Sequence, residues 1–322
     1  MKPGKVKERG QGQPKRPGEQ SAKVLGVVGL GSMGFGSAVT ALRNGVATIG
    51  LDTRAEARER FIAAGGRATD SLAELGAQCD AVLVLVVNAA QTETVLFGAD
   101  GLATTLRRGA VVIASATVDP TLPPVWAEQL AERGLWLIDA PVSGGAVKAA
   151  AGQMTVMASG APEAFAAAGS LLDAIAGTVY RLGERPGIGS TVKMVNQHLA
   201  GIHIAAACEA MALGLRAGAD PQALYEVICN SAGMSWMFQN RVPHILAGDY
   251  TPLSAVNVFV KDLGIVLDAG RKLSFPLPLA AAAHQLYLAT AAAGHGAEDD
   301  AAVIKFYAAL AGLALPQPVG KP

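Results

Sequence analysis

The chain has 322 residues, of which 26 are basic and 26 acidic, with 51% hydrophobic and 16% charged. A formal net charge of zero offers no general attraction to nucleic acid or to an anionic membrane, and the length leaves room for two domains with sizeable cores. The composition excludes a disordered chain and describes a compact globular protein.

Residues 1–23 stand apart, with seven basic and two acidic side chains, several Gly and Pro and no aliphatic run. They read as a disordered basic tail rather than a secretory signal, which needs an apolar stretch. Cys79, Cys208 and Cys229 share no redox or metal spacing, and the five histidines fit no ligand template. Free thiols in a reducing cytoplasm follow, and no metal is expected.

Val24-Leu25-Gly26-Val27-Val28 is a short β-rich run, followed by Gly29-Leu30-Gly31-Ser32-Met33-Gly34 and a helical stretch through Asn44. The next apolar run, Val46 to Leu51, ends at Asp52. Strand, glycine turn, helix, strand and acid, with about twenty residues between glycines and carboxylate, is the spacing of a dinucleotide site. Gly29 would allow the tight turn, Gly31 the approach of the pyrophosphate, and Gly34 close packing of helix on strand. Asp52 would accept from the adenosine ribose hydroxyls and repel a 2′-phosphate, which favours NAD over NADP. Arg54 could meet such a phosphate.

Residues 81–87, 110–114 and 135–138 are further unbroken apolar runs separated by helical sequence, as in strands buried on both faces of a parallel sheet. Asn88, Thr117 and Asp139 stand at or just after strand ends, where side chains can point into the crevice. Residues 139–153 read DAPVSGGAVKAAAGQ, and Ser143-Gly144-Gly145 offers a hydroxyl and unobstructed N–H groups to a carboxylate. An ordinary loop with Ser143 as a helix cap fits the same letters.

From Gly183 to Gly218 a glycine-proline loop leads into a helix of about eight turns. Met194 to Cys208 carries no formal charge, which marks a helix buried in protein, and the run is shorter than a membrane span needs. Lys193 sits at its loop end, with Asn196 and Gln197 on the same face. Burial would lower its proton affinity toward neutral pH, making it a candidate general base. The alternative is a lysine snorkelling to water. Beyond Gly218 the pattern stays helical to about Leu313, apart from a loop-rich segment over 230–257, and 315–322 is a short tail.

GLGSMG, DAPVSGGAVKAAAG and GIGSTVKMVN together resemble the signatures of the 3-hydroxyisobutyrate dehydrogenase family, the β-hydroxyacid dehydrogenases, over roughly residues 24–314. The resemblance implies an α/β fold: a Rossmann-type doubly wound parallel sheet over 24–186, then an all-helical substrate and dimerisation domain over 187–314. It implies NAD-dependent oxidation of a small hydroxy acid, while the alanine-rich, weakly charged helical half predicts a homodimer or homotetramer and the zero net charge predicts no nucleic-acid or membrane partner. Lys193 matches the catalytic lysine, Asn196 a substrate contact beside Gln197, and Ser143, Gly144 and Gly145 the substrate carboxylate loop. Thr117 matches a residue beside the nicotinamide and Lys261 a lysine at the cofactor end of the cleft. The loop Gly183 to Gly189 is one residue longer than the family's form. Residues 230–266 resemble a branch acting on four-carbon sugar acids. Alternatives are other activities of the family or a non-catalytic NAD-binding sensor.

Overall fold

The computed structural model describes residues 23–317; nearly all of the basic tail and the last five residues lie outside them. Nine strands form one sheet: β1 (Val24–Val28), β2 (Ala47–Leu51), β3 (Arg67–Thr69), β4 (Ala81–Val84), β5 (Val111–Ala114), β6 (Trp136–Asp139), β7 (Val142–Ser143), β8 (Thr155–Gly160) and β9 (Thr178–Gly183). Their order is β3-β2-β1-β4-β5-β6-β8-β7, with β9 also on β8. Strands β1 to β6 run parallel, β8 runs antiparallel to β6 and β7, and β9 is parallel to β8.

The order reverses between β1 and β4, so the ligand crevice of such a sheet opens where Gly29 follows Val28. Alternation along the strands fills two cores. Leu25, Val27, Leu83, Val111 and Ile113 face one layer of helices, while Val28, Val82, Val84, Val112 and Ala114 face the other. Both faces are therefore dry, which is why these strands carry unbroken apolar sequence.

Helix Ile188–Arg216 begins the second half and is its hub, packing against helices Trp236–Ala247, Val256–Lys272, Pro278–Thr290 and Val303–Ala311 and reaching back to β8. Ile204, Cys208, Met211, Val242, Phe259, Leu263 and Tyr287 make its core. By length and composition this 29-residue helix could cross a membrane, so the length argument drawn from the sequence does not hold. One side of it packs on protein, where Leu263 and Phe259 crowd Gly201 and the Tyr287 hydroxyl donates to the Gly201 carbonyl at 3.0 Å, but the expectation of a helix buried all round is not met, since Ile188, Val192, Val195, Leu199 and Leu213 stay exposed.

Two readings need correction. The segment 230–257 is not simply loop: Trp236–Ala247 is helical, with the Ser235 hydroxyl accepting from the Phe238 N–H at 3.0 Å and Pro243 inside it. A proline that ordinarily breaks a helix, between two glycines, disguised it. The alternation also continues further than expected, since β3 and β7 to β9 were not anticipated.

Candidate active site

The turn after β1 is built for close approach. Gly29 has φ +94°, and a Cβ there would lie 2.5 Å from the Leu85 carbonyl oxygen at the exit of β4. A Cβ on Gly34 would lie 1.8 Å from the Gly29 oxygen, whereas one on Gly31 would meet nothing within 4 Å. Helix Ser32–Arg43 therefore presses on the turn while the face over Gly31 stays open. No side chain caps that helix, so its first N–H groups are free for a pyrophosphate; the site fits a dinucleotide. Ser32 and Met33 start the helix, and Met33 packs on the core below.

Asp52, at the end of β2, is 8% exposed and accepts from the Leu30 N–H at 2.8 Å. Its oxygens also meet the Arg54 guanidinium, at 3.1 and 3.3 Å, and the Arg54 N–H at 3.0 Å. Burial pushes the carboxyl up, but the bonds from Arg54 and Leu30 outweigh it and leave it below the usual carboxylate range. Arg54 is thus folded onto Asp52 rather than poised alone.

The structure gathers Lys193, Asn196, Gln197, Thr117 and Lys261, and adds a residue the sequence reading left without a role. Lys193 is 7% exposed. Its Nζ donates to Gln197 Oε1 at 2.8 Å, and Asn196 Nδ2 donates to the same oxygen at 3.0 Å. The Gln197 amide in turn donates to Oδ2 of Asp262, a buried carboxylate whose Oδ1 receives Lys261 Nζ. Lys261 Nζ also donates to the Thr117 carbonyl at 3.0 Å, crossing from the helical half to the sheet half. Burial lowers the Lys193 ammonium to about 8; the Asp262 charge opposes that and the Lys261 charge adds to it. Asp262 is separated from Gln197 by 65 residues, so nothing in the local sequence links them.

Asp139 does not point into the crevice. One turn below Lys193, its buried carboxylate accepts from the Gly187 and Ser190 N–H groups at 2.8 Å each, from the Ser190 hydroxyl at 2.6 Å and from the Ser159 hydroxyl at 3.3 Å. It fixes the N-terminus of the lysine helix to the ends of β6 and β8. Burial raises its carboxyl above the ordinary value against the pull of these bonds. The glycines before Lys193 serve this seat: Gly187 has φ +100°, and a Cβ on Gly189 would lie 2.3 Å from the Met157 oxygen.

Asn88 caps helix Ala89–Phe97, its Oδ1 accepting from the Gln91 N–H at 2.9 Å. Ser143 ends β7 opposite Thr155, and Gly144 and Gly145 have φ of +131° and +71°. Side chains are disfavoured in that conformation, so backbone N–H groups line the loop. Lys148, one turn on, lays its stem along Gly144 and carries its ammonium 5.5 Å from the centre of the Trp236 ring in the helical half. Both buried cysteines are poor thiolates: burial pushes Cys79 up to about 12 and Cys208 higher still.

The profile of the NAD-binding domain of 6-phosphogluconate dehydrogenase matches residues 24–183, and that of the NAD-binding region of NADP-dependent 3-hydroxyisobutyrate dehydrogenase matches 187–307. An L-threonate dehydrogenase of Cupriavidus necator is 61% identical over 283 residues, covering 88% of this chain and 95% of that protein. One from Escherichia coli is 50% identical over 293 residues, 91% of this chain and 96% of its own. A solved 3-hydroxyisobutyrate dehydrogenase from Salmonella typhimurium aligns with a TM-score of 0.85 at 50% identity, over 88% of this chain and 99% of that one. By these matches, which together span nearly all of the described residues, the chain belongs to the 3-hydroxyisobutyrate dehydrogenase family of NAD-binding hydroxyacid dehydrogenases.

Proposed function

We propose that this enzyme oxidises L-threonate to the 2-oxo acid with NAD, using Lys193 as general base. The observation that carries the mechanism is the burial of Lys193 at the end of a hydrogen-bonded chain, with its ammonium lowered to about 8. The 61% identity to an L-threonate dehydrogenase supports the substrate. When bound over Gly29 to Gly34 and Asp52, NAD supplies the acceptor for the hydride that leaves the carbinol carbon.

The protein's own groups do the rest. Ser143 Oγ and the N–H groups of Gly144 and Gly145 hold the carboxylate and so fix the neighbouring carbinol. A neutral Lys193 amine donates one hydrogen to Gln197 Oε1, which turns its lone pair away from that oxygen and toward the substrate hydroxyl. The hydroxyl proton moves to Nζ as the carbonyl forms; in the reverse direction Nζ returns it. Asn196, tied to the same Gln197 oxygen, orients the hydroxyl. Gln197 itself is committed to Lys193, Asn196 and Asp262 and acts through Lys193 rather than on the acid. Alignment of this kind supplies much of a hydride-transfer rate.

Asp52 favours NAD, because a 2′-phosphate would meet its charge. Ile188, Val192, Val195, Leu199 and Leu213 recur at helical spacing along one side of the lysine helix and are 37% to 69% exposed. Such a stripe supports a homodimer or homotetramer, and a monomer at micromolar concentration in sedimentation would contradict it. The free thiols Cys79, Cys208 and Cys229 support a reducing, cytoplasmic setting.

The test is NADH formation at mildly alkaline pH against L-threonate, D-erythronate, glycerate and 3-hydroxyisobutyrate, each repeated with NADP. NAD-linked activity on L-threonate alone is expected. Activity confined to 3-hydroxyisobutyrate, as the name of the Salmonella structure suggests for that protein, would replace the substrate and keep the base. Lys193→Ala should lower kcat by roughly 10² to 10⁴ while NADH still binds. Near-normal turnover would remove Lys193 from the chemistry.

A further inference from the structure

A cleft that takes an anionic acid needs positive charge, and the cations around this one are mostly spent. Lys193 must be neutral to act. Lys261 is paired with Asp262, Arg54 with Asp52 and Arg241 with Asp300. The Ser143-Gly144-Gly145 loop brings only dipoles.

Lys148 differs from all of these. Among the described residues its ammonium faces no carboxylate; it rests over the Trp236 ring at 5.5 Å, a contact that holds a cation without neutralising it. Its stem runs along Gly144, where a built Cβ would come within 2.9 Å of Lys148 Cβ and 3.0 Å of Cδ. Gly144 therefore must lack a side chain for Lys148 to lie there. Trp236 opens helix Trp236–Ala247, is 49% exposed, and comes from the opposite half of the molecule. The pair thus spans the two halves beside the carboxylate loop.

We infer that Lys148, perched on Trp236, is a substrate-binding residue that supplies the uncompensated positive charge for the acid's carboxylate. The inference rests on the hydroxy-acid reading above. Indole is a weak holder of a partly hydrated ammonium, so an arriving carboxylate competes successfully for it.

The experiment compares Lys148→Met, Lys148→Arg and Trp236→Phe with wild type in steady-state kinetics on the acid and on its neutral methyl ester, using the full chain. Calorimetric titration of the acid into each protein with NADH gives a readout that needs no turnover. Lys148→Met keeps the stem on Gly144 and removes only charge. It should raise KM and Kd for the acid by about 10- to 100-fold, the range of one charge-assisted contact, with kcat within about threefold. KM for NAD and for the ester should not move, and Lys148→Arg and Trp236→Phe should stay near wild type. An unchanged Kd for the acid in Lys148→Met, or equal losses for acid and ester, overturns the proposal. Wild type that binds the acid without oxidising it would overturn the dehydrogenase reading alone, and the Lys148 effect on Kd would still decide this one.

Discussion

Two charges act on Lys193 from opposite sides, and removing each should move the pH profile in opposite directions. Oxidation needs the neutral amine, so the rate should rise with pH and level off above the lysine's pKa. At about 8, roughly a tenth of the enzyme is active at pH 7; at the ordinary 10.5 the fraction would be about 300-fold smaller. Asp262 stabilises the ammonium, so Asp262→Asn should shift the inflection downward by about one unit, the lower end for a carboxylate at this range. The substitution also leaves Lys261 unpaired, which pushes the same way. Lys261→Met removes a repelling cation and should shift the inflection upward. The assay is the initial rate of NADH formation at saturating acid and NAD between pH 6 and 10. Loss of fold or of cofactor affinity alters the plateau, not the sign of the shift. Shifts in one common direction, or none, would refute the claim that this pair sets the proton affinity of Lys193.

The same burial has a cost in stability. The folded pKa of Lys193 lies below its unfolded value, so stability is diminished below about pH 8 and recovered as pH rises toward 10.5; Lys193→Met should stabilise at pH 7 by up to about 3 kcal/mol in denaturant unfolding. A destabilised variant would show that packing outweighs the charge. Gly31→Ala should leave the melting temperature unchanged and weaken NADH binding at least about tenfold, because its Cβ meets only open space, whereas Gly34→Ala should lower the melting temperature as well, its Cβ lying 1.8 Å from the Gly29 oxygen. Equal behaviour of the two would refute the division of roles. Asp139→Asn turns an acceptor of two N–H groups and two hydroxyls into a partial donor, and should cost about 2 to 4 kcal/mol while NADH still binds. A loss under about 1 kcal/mol would mean the helix is seated by other contacts.

What could be read from the sequence was what chemistry writes locally. That the Gly29–Gly34 turn and Asp52 lie together was written in their spacing, because one turn and one strand join them, and the Leu30 N–H reaches Asp52. Lys193, Asn196 and Gln197 do so because a helix repeats every 3.6 residues. Strands β1, β4, β5 and β6 announced themselves by unbroken apolar runs. Strand β8 did not, because Ser159 and Gly160 interrupt its sequence, and both are needed: Ser159 accepts from the Gly189 N–H at 2.9 Å, and Gly160 leaves room for the Leu137 oxygen.

Asp139 and Asp262 show the limit more sharply. Each is a carboxylate beside a recognised motif, and proximity in sequence suggested the crevice for the first and nothing for the second. Their partners on the lysine helix lie 48 to 65 residues away, from Asp139 across the boundary between sheet and helices and from Asp262 across a helix–helix contact, and no periodicity encodes either. Yet these two acids decide how the lysine works. Asp139 sets where the first turn of its helix stands, and Asp262 sets, through Gln197, where Nζ points and how firmly it keeps its proton. The place of the proposed base is therefore a local property of the chain, whereas its aim and its pKa belong to the fold.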